Sequence, residues 1–373
     1  MSSTIPIPEV EAATTPLAAA LAGAGSEPEL TLDRGVRTPL GFAGRAEELA
    51  ALLHGAGVFD LGCRSFLHAT GKDRVRWLNG MITQTVKGMS PGQALYTLIL
   101  NAQGRIQGDG EVFFQDEALL LETDRSQVER LLGHLRRFII MDDVQLQELD
   151  VSRTVMGIAG PRAAAMLEAL GGAIPEADTF RETELAGVPV TLVHGYGPVA
   201  PRFAIHVAAE RVLAVWQALV AAGAVACGTA ALEDLRVLEG VPRFGVDFSD
   251  QHLPQETGLL RALNFTKGCY LGQEIVERIR SRATVHRALR QFELQGSLPQ
   301  AGAGEKIALH SGDAAAGELT SVARFDLPDF ARTLGLGMVR VAAVEKSASG
   351  EEAIRYDGGT AVALEALPYP ARS

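Results

Sequence analysis

Residues 267–274 read Lys267-Gly268-Cys269-Tyr270-Leu271-Gly272-Gln273-Glu274, which places a lysine, a cysteine, two glycines, an amide and a carboxylate side by side. The glycines permit a turn or a close backbone approach, and the run after Gly272 is typical of a helix start. Cys269 is therefore predicted to lie just before a helix N-terminus and near Lys267, where both the helix dipole and the ammonium favour a thiolate. The residues alone leave a second interpretation open, in which Cys269 is a small buried side chain in a tight turn.

The composition bounds the class of protein. A chain of 373 residues with 47% hydrophobic residues is long enough for two or three domains. The net charge of −11 argues against a general nucleic-acid or membrane binder, so neither kind of direct partner is expected.

The cysteines bound the compartment and the chemistry. Cys63, Cys227 and Cys269 are far apart and form no paired motif, so we expect no disulfide scaffold and no metal site. Three isolated thiols fit a reducing compartment. The first basic residue is Arg34. Secretory and transit signals contain basic residues, so residues 1–33 do not resemble one, and a cytoplasmic location is expected.

The order of patterns predicts an α+β protein in three parts. Residues 1–35 are rich in Ala, Pro, Thr and Glu without a clear period, which indicates a flexible N-terminal arm. Residues 36–284 mix strands, hairpins and helices, which favours an α+β body, here interpreted as two subdomains. Residues 285–373 carry short strands between Gly-rich turns, which predicts an all-β barrel domain. The predicted barrel strands are Arg287–Leu294, Lys306–Leu309, Gly317–Arg324, Leu334–Arg340 and Ala361–Leu364.

A hairpin in the body carries the first candidate site. Ala94–Leu100 and Arg105–Gln115 have strand patterns, and the stretch Asn101–Gly104 between them suits a turn. Asp109 lies on the strand that leaves this turn, where a carboxylate could bind the polar head of a ligand. The alternative is an ordinary hairpin with a solvated aspartate.

Two further groups have both a binding and a structural interpretation. Arg236, on a predicted helix over Thr229–Leu238, could clamp an acidic group or a ring, or it could form a surface pair with Glu233. Basic residues also cluster between Arg278 and Arg290, and this cluster could receive a polyanion or an acidic protein face. The alternative is a solvated linker between domains. The cluster consists of Arg278, Arg280, Arg282, His286, Arg287 and Arg290.

The motif at residues 267–274 resembles the KGCYxGQE signature of the folate-binding YgfZ family, whose members are relatives of the glycine-cleavage T-protein, an aminomethyltransferase. The resemblance extends over about residues 40–365, because other segments occur in the family's order. These segments are Leu61–Leu67, the hairpin Asn101–Asp109, the helix around Leu235-Arg236, Phe244-Gly245-Val246-Asp247 and Leu253–Gly258.

The resemblance implies a three-lobed T-protein-like body with a central folate pocket, filled by tetrahydrofolate, and a C-terminal β-barrel. It implies catalytic roles for Cys269 and Asp109. Arg236 matches an arginine of the T-protein pocket, and Asp109 follows the Asn-x-x-Gly turn as the T-protein's catalytic carboxylate does. The folate contacts that the resemblance implies come from Arg236, Asp109, Asn101, Lys267 and Gln273.

The resemblance also implies a role in making or repairing iron–sulfur enzymes, including one that modifies tRNA, so the partners expected are iron–sulfur client or assembly proteins. The sequence departs from the T-protein at His194–Pro198, where no glutamate stands in place of the residue that holds the pterin. This difference argues against direct aminomethyl transfer from a lipoyl arm.

Three functions follow, in order of preference. The first is a folate-binding accessory factor for iron–sulfur proteins that acts through Cys269. The second is a folate-dependent aminomethyl or one-carbon transferase, in which Asp109 orients the folate amine. The third is a non-enzymatic scaffold whose basic cluster, with Arg280 and Arg282 at its centre, docks an acidic partner.

Overall fold

The computed structural model describes residues 12–149, 152–282, 285–299, 304–327 and 330–364. These residues form two open sheets, a small two-stranded sheet, a closed barrel and surrounding helices, which confirms the predicted α+β class and the C-terminal barrel. The helices are α1 (Pro16–Gly23), α2 (Arg45–His54), α3 (Arg74–Met81), α4 (Val128–Arg136), α5 (Ala163–Ala169), α6 (Val212–Ala221), α7 (Thr229–Glu239), α8 (Gln273–Arg282) and α9 (Val341–Ala348).

The strands run from the N-terminal hairpin to the barrel. They are β1 (Leu30–Asp33), β2 (Val36–Pro39), β3 (Gly57–Asp60), β4 (Arg64–Thr70), β5 (Ala94–Leu100), β6 (Ile106–Phe114), β7 (Leu119–Asp124), β8 (Gln145–Glu148), β9 (Arg153–Ala159), β10 (Phe180–Leu185), β11 (Val188–Gly195), β12 (Arg202–Ala208), β13 (Val225–Cys227), β14 (Arg287–Gly296), β15 (Ile307–Ser311), β16 (Ala314–Leu327), β17 (Phe330–Arg340), β18 (Ile354–Tyr356) and β19 (Gly359–Ala363).

The first open sheet has the strand order β5-β6-β7-β4-β8 and is antiparallel throughout. One of its faces is apolar: Leu67, Val112 and Leu121 pack in one cluster with Trp77 of α3 and Leu131 of α4. Successive side chains of a strand point to opposite faces of the sheet. The polar residues that alternate with these apolar ones therefore share the other face.

The second open sheet has the order β10-β11-β12-β9-β3-β13, and only its pair β13–β3 is parallel among the described strands. Met156 of β9 and Ile205 of β12 pack with Leu167 of α5 and Val215 of α6, which covers one face of this sheet with helices. Both open sheets thus have a helix-covered apolar face.

The N-terminal segment differs from the prediction of a flexible arm. Within residues 12–35, Leu17 and Leu21 of α1 are buried against the second sheet's core, and strands β1 and β2 pair beside it. Thr15 caps α1 by accepting a hydrogen bond from the Ala18 amide at 3.3 Å. The apolar spacing of one helical turn explains this order, which the alanine-rich composition concealed. Residues 1–11 lie outside the described residues.

The barrel closes in the order β14-β17-β16-β15-β18-β19, with β19 paired back to β14. The five predicted strands are present, but β18 and α9 were not predicted. β18 has only three residues, which are too few to show an alternating pattern. Phe325 of β16 packs against Leu235 and Leu238 of α7. The side-chain amide of Gln291 on β14 donates to the carbonyls of Val237 and Leu238 at 2.6 and 3.0 Å, so the barrel also satisfies the end of α7.

The burial of α1 gives a first testable prediction. Replacing Leu17 with Ala should lower the free energy of unfolding by about 2–5 kcal/mol, because it removes a fully buried side chain and leaves a cavity. Urea denaturation of wild type and variant measures this difference. The matched control is Glu27→Ala in the exposed segment after α1, which should leave the midpoint unchanged. Equal midpoints for the two variants would show that α1 is a dispensable arm.

Candidate functional site

The second face of the first sheet carries a group of polar side chains. Tyr96 lies opposite Glu111 in the β5–β6 register, and Glu111 lies opposite Glu122 in the β6–β7 register. Residues two positions along each strand extend the same face. We call this set the polar face; it consists of Arg64, Tyr96, Asp109, Glu111, Glu122 and Asp124.

The polar face is turned towards the second sheet. His206 of β12 packs against Phe66 and Phe113, with ring centroids 5.1 and 5.3 Å apart, and its Nε2 atom lies 2.8 Å from an oxygen of Glu122. Burial alone would raise the pKa of Glu122, but His206 and Arg64 hold it below its ordinary value. The two sheets therefore meet across charged groups as well as apolar ones.

Asp124 is held by two arginines from different parts of the chain. Arg34, in the β1–β2 turn, lies 3.2 Å from one of its oxygens, and Arg64 of β4 lies 3.3 Å from the same oxygen. Burial acts to raise the pKa of Asp124, but the two guanidinium groups hold it below the usual range. Asp124 is therefore an ionised, paired carboxylate.

Asp109 lies on the polar face, on the strand that leaves the predicted turn. One oxygen accepts a hydrogen bond from the Tyr96 hydroxyl at 2.6 Å, and the other accepts from the Gln127 amide at 2.8 Å. Burial and the charge of Asp124 raise the pKa of Asp109, and burial raises that of Tyr96 well above its ordinary value. The phenol thus stays protonated and fixes the orientation of the Asp109 carboxyl group.

Glu111 is a polar-face residue that sequence reasoning missed. Its side chain is half-buried, and its carboxyl group has no hydrogen-bond partner within the described part of the chain. Burial and the nearby Glu122 raise its pKa to about 7, although Arg261 and Arg64 act in the opposite direction. The alternation of the strand could have placed Glu111 beside Asp109, because the two residues are two positions apart.

Arg261 bridges the two sheets by stacking between two tyrosine rings. Its guanidinium carbon lies 4.0 Å from the ring centroid of Tyr96 on β5 and 4.1 Å from that of Tyr196, which follows β11. A planar cation is favourably held over an aromatic face at such distances. The stack lies at the border of the polar face, because Tyr96 also donates to Asp109.

The predicted turn packs directly against the cysteine motif. Asn101 accepts hydrogen bonds from the amides of Gln103 and Arg105, both at 3.0 Å, so its side-chain oxygen stabilises the turn rather than facing a ligand. A Cβ atom on Gly272 would lie 2.5 Å from the Asn101 carbonyl oxygen, and Gly272 has φ +83°. Only glycine fits this contact, which brings two distant stretches of sequence together.

Three backbone carbonyls surround the ammonium group of Lys267. Its Nζ atom donates to the carbonyls of Asn79 and Ile82 at 2.7 and 2.8 Å, and to that of Gln84. Burial, together with the charge of Lys87, lowers the pKa of Lys267 to about 8. Lys267 therefore fastens the motif to the last turn of α3 and to the loop after it. Its contact with a cofactor stays a prediction.

Cys269 is the exposed thiol among the three cysteines. Burial raises the pKa values of Cys63 and Cys227 to about 12, which leaves both as inert thiols. Helix α8 begins at Gln273, as the motif predicts, and the Gln273 side chain is half-buried there. The interpretation of Cys269 as a buried filler is thus wrong, because Cys269 is exposed. The buried residue of the segment is its neighbour Tyr270.

Arg236 forms the pair with Glu233 that the sequence left open, but the arginine is buried rather than on the surface. Its guanidinium donates to Glu233, to the Val241 carbonyl at 2.8 Å, to Asp247 at 2.5 Å and to the Ser321 hydroxyl at 2.6 Å. These contacts use all five of its N–H groups. Arg236 is 8% exposed, so it joins α7 to the following loop and to the barrel instead of facing a ligand.

The basic cluster is partly neutralised. Arg280 lies 2.8 Å from Glu277, and Arg287 lies 3.2 Å from Glu256. The side chain of Arg282 lies outside the described residues. Arg280 also stacks on Phe265 at 5.1 Å, so this part of the cluster helps to fix α8 beside the cysteine motif.

Two features are absent from the described residues. Nowhere in them do three His, Cys, Asp or Glu side chains come close enough together to hold a metal ion. None of the described helices combines the length and the apolar composition needed to cross a membrane.

Comparison with known proteins gives consistent matches. The sequence matches the family described as GCVT N-terminal domain over residues 31–267, more than half of the chain. The aminomethyltransferase of Nostoc sp. is 28% identical over 286 residues, covering 72% of this chain and 73% of the relative. The tRNA-modifying protein YgfZ of Yersinia pestis is 28% identical over 318 residues, covering 80% of this chain and 88% of the relative.

The fold matches a solved structure over almost its full length. The glycine cleavage system aminomethyltransferase T from Bartonella henselae superposes with a TM-score of 0.81 at 20% identity, covering 96% of this chain and 98% of that chain. At this identity the likeness concerns the fold alone, and it confirms the three-lobed T-protein-like body. Together the matches confirm the resemblance to YgfZ and to the aminomethyltransferases.

The contacts of Arg236 generate a second prediction. Arg236→Ala should lower the free energy of unfolding by about 3–5 kcal/mol, because it leaves the buried carboxylate of Asp247 without its charged partner. Thermal and urea denaturation measure the effect, and Arg211→Ala, an exposed arginine, is the control. If Arg236→Ala were as stable as the control and had lost only ligand binding, Arg236 would contact the ligand directly, as the sequence predicted.

Proposed function

Because the chain belongs to the family of the GCVT N-terminal domain, we propose that it is a folate-binding accessory protein that supports the assembly or repair of iron–sulfur enzymes, including a tRNA-modifying enzyme. The observation that carries this proposal is the exposed Cys269, whose segment Lys267 fastens to α3, the helix that packs on the first sheet. A candidate reactive thiol and a candidate ligand surface thus belong to one packed unit.

The chemistry of the polar face supports folate as the ligand. Half-buried carboxyl groups accept hydrogen bonds from N–H groups of a heterocycle, and Tyr96 and Tyr196 already hold one flat group, the Arg261 guanidinium, between them. Arg34 and Arg64 supply positive charge beside the same face. Tyr96 and the carboxyl groups of the polar face are the groups that would hold the ligand. Bound tetrahydrofolate would supply a one-carbon carrier.

The chain's own residues have separable tasks in this proposal. Tyr96 and Gln127 fix the orientation of the carboxyl group of Asp109. Burial and the charge of Asp124 raise its pKa, which favours a role in proton exchange. Lys267 holds the motif in place, and Cys269 presents its sulfur to solvent, where a client protein can reach it. Arg236 maintains the junction between the body and the barrel.

The name of one relative supports the choice of client. The protein from Yersinia pestis is described as a tRNA-modifying protein. Since the net charge of this chain is −11, direct binding of tRNA is disfavoured, and we assign the link to tRNA to a client enzyme rather than to this chain. Because the chain as a whole is acidic, binding of an anionic small molecule would depend on the local positive charge of Arg34 and Arg64 at the polar face.

The proposal predicts that the thiol and the ligand surface separate by mutation. Cys269→Ala should retain the tetrahydrofolate affinity of wild type within about twofold, because the side chain is exposed and its removal leaves no buried cavity. It should fail to restore the activity of an iron–sulfur enzyme in cells that lack the protein. Thr266→Ala, an exposed neighbour in the same segment, is the matched control and should restore it. Full restoration by Cys269→Ala would end the proposal of a thiol-dependent function.

A folate-dependent one-carbon transferase is the second candidate, and the Tyr96–Asp109 pair favours it. We expect purified protein, supplied with methylenetetrahydrofolate and an aminomethylated carrier protein, to show no turnover above background. Asp109→Asn is the control, because it is nearly isosteric and removes the titrating group. Turnover by wild type that Asp109→Asn abolishes would replace the accessory role with the transferase.

A further inference from the structure

Glu111 stands apart from the other acids of the polar face. Both oxygens of Asp109 accept hydrogen bonds, Glu122 lies against His206, and Asp124 lies against two arginines. Within the described residues, Glu111 has no such partner. A half-buried carboxyl group without a protein partner is costly when ionised unless a ligand, an ion or water satisfies it.

The surroundings of Glu111 are charged and aromatic rather than apolar. Tyr96 faces it across the β5–β6 pair, and Glu122 faces it across the β6–β7 pair. The titratable or charged groups near Glu111 come from three strands and two loops. They are Tyr96 on β5, Glu122 on β7, Arg64 on β4, Asp178 before β10, and Arg261 before α8. Arg261 is within electrostatic range but stacks on the tyrosines instead of pairing with the carboxyl group.

The stacked guanidinium indicates which ligand chemistry fits beside Glu111. A guanidinium is a planar carbon bonded to three nitrogens, and an amino-substituted pyrimidine ring has the same arrangement at its N–C(NH2)–N edge. Both are flat, both stack on aromatic faces, and both present neighbouring N–H donors. A carboxylate can accept two such donors side by side. The environment of Arg261 is therefore one that an amino-substituted heteroaromatic ring can share.

We infer that Glu111 is the ligand-binding carboxylate of the polar face, accepting hydrogen bonds from the N–H groups of an amino-substituted heteroaromatic ring. This inference rests on the proposed folate function, in which that ring is the pterin. In this arrangement Asp109, whose oxygens are already occupied, orients Tyr96. Glu111 provides the recognition of the ring edge.

The inference fixes the direction of a pH dependence. Only the ionised carboxylate accepts two N–H donors, so Glu111 must lose its proton before the ligand binds. Because the pKa of Glu111 is raised to about 7, affinity should rise with pH up to about 7 and level off above it. Below that value each pH unit should weaken binding by roughly tenfold.

The test is anaerobic titration of tetrahydrofolate into the full-length protein between pH 5.5 and 8.5. Wild type should show the rise described above. Glu111→Gln should bind at least about tenfold more weakly at pH 8, because it loses a charge-assisted pair, and its affinity should no longer vary with pH. Glu117→Gln, an exposed residue in the turn after β6, is the matched control and should behave as wild type.

The stability of the unliganded variant gives a second measurement. The ionised Glu111 is unpaired, and a raised pKa in the folded state means that stability is lost as pH rises towards 7. Glu111→Gln should therefore have a higher Tm than wild type at pH 8 and a similar Tm at pH 5. A variant that gains stability while losing ligand affinity has lost a binding residue rather than its fold.

The outcomes separate this inference from the function on which it rests. Wild-type binding that Glu111→Gln leaves unchanged at pH 8 overturns the inference alone. Wild-type affinity that does not vary between pH 5.5 and 8.5 also overturns it, whether or not the variant folds. Absence of any wild-type binding overturns the folate proposal, and the inference with it.

Discussion

The pairing of charges enclosed between the two open sheets is the constraint on which the rest of the structure depends. An ionised carboxylate away from water is tolerated only when opposite charges and hydrogen-bond donors compensate it. Asp124 meets this condition through Arg34 and Arg64, and Glu122 meets it through His206 of the opposite sheet. Arg34 comes from the N-terminal hairpin, so that segment has to be ordered for the sheets to close over the polar face.

A second constraint connects the polar face to the thiol. The turn Asn101–Gly104 starts the strand that carries Asp109 and Glu111, and the same turn lies against Gly272 with no room for a side chain. Lys267 and the amide of Leu271 fasten the other side of the motif to the last turn of α3 and to the residue after it. Cys269 is therefore exposed on a segment whose backbone is held on both sides. Among the described residues, the Cys269 thiol has neither a disulfide nor a hydrogen-bond partner.

The sequence predicted the features that depend on local pattern. The hairpin around Asn101, the start of α8 at Gln273 and the barrel strands follow from alternation, turn chemistry and the motif, and the structure contains them. It also placed Asp109 on the strand leaving the turn. These features depend on neighbours in the chain, so their signals are present in short stretches of sequence.

The features that were missed depend on contacts between distant residues. Arg236 looked like a ligand clamp, but its acceptors Asp247 and Ser321 follow it by 11 and 85 positions. Lys267 likewise finds its acceptors more than 180 positions earlier in the chain. Glu111 was overlooked because a single carboxylate in a strand carries no motif. Its role becomes visible only when the partners of the other acids are known.

The central claim is that the polar face of the first sheet, and not the barrel, receives the ligand. Hydrogen–deuterium exchange of wild-type protein with and without tetrahydrofolate tests it most directly, because a ligand that orders a surface slows the opening of the backbone beneath it. We predict slower exchange in β5 and β6, over residues 94–114, and in the segment around Arg261, with no change in β14. Slower exchange confined to the barrel strands, with residues 94–114 unaffected, would contradict the account.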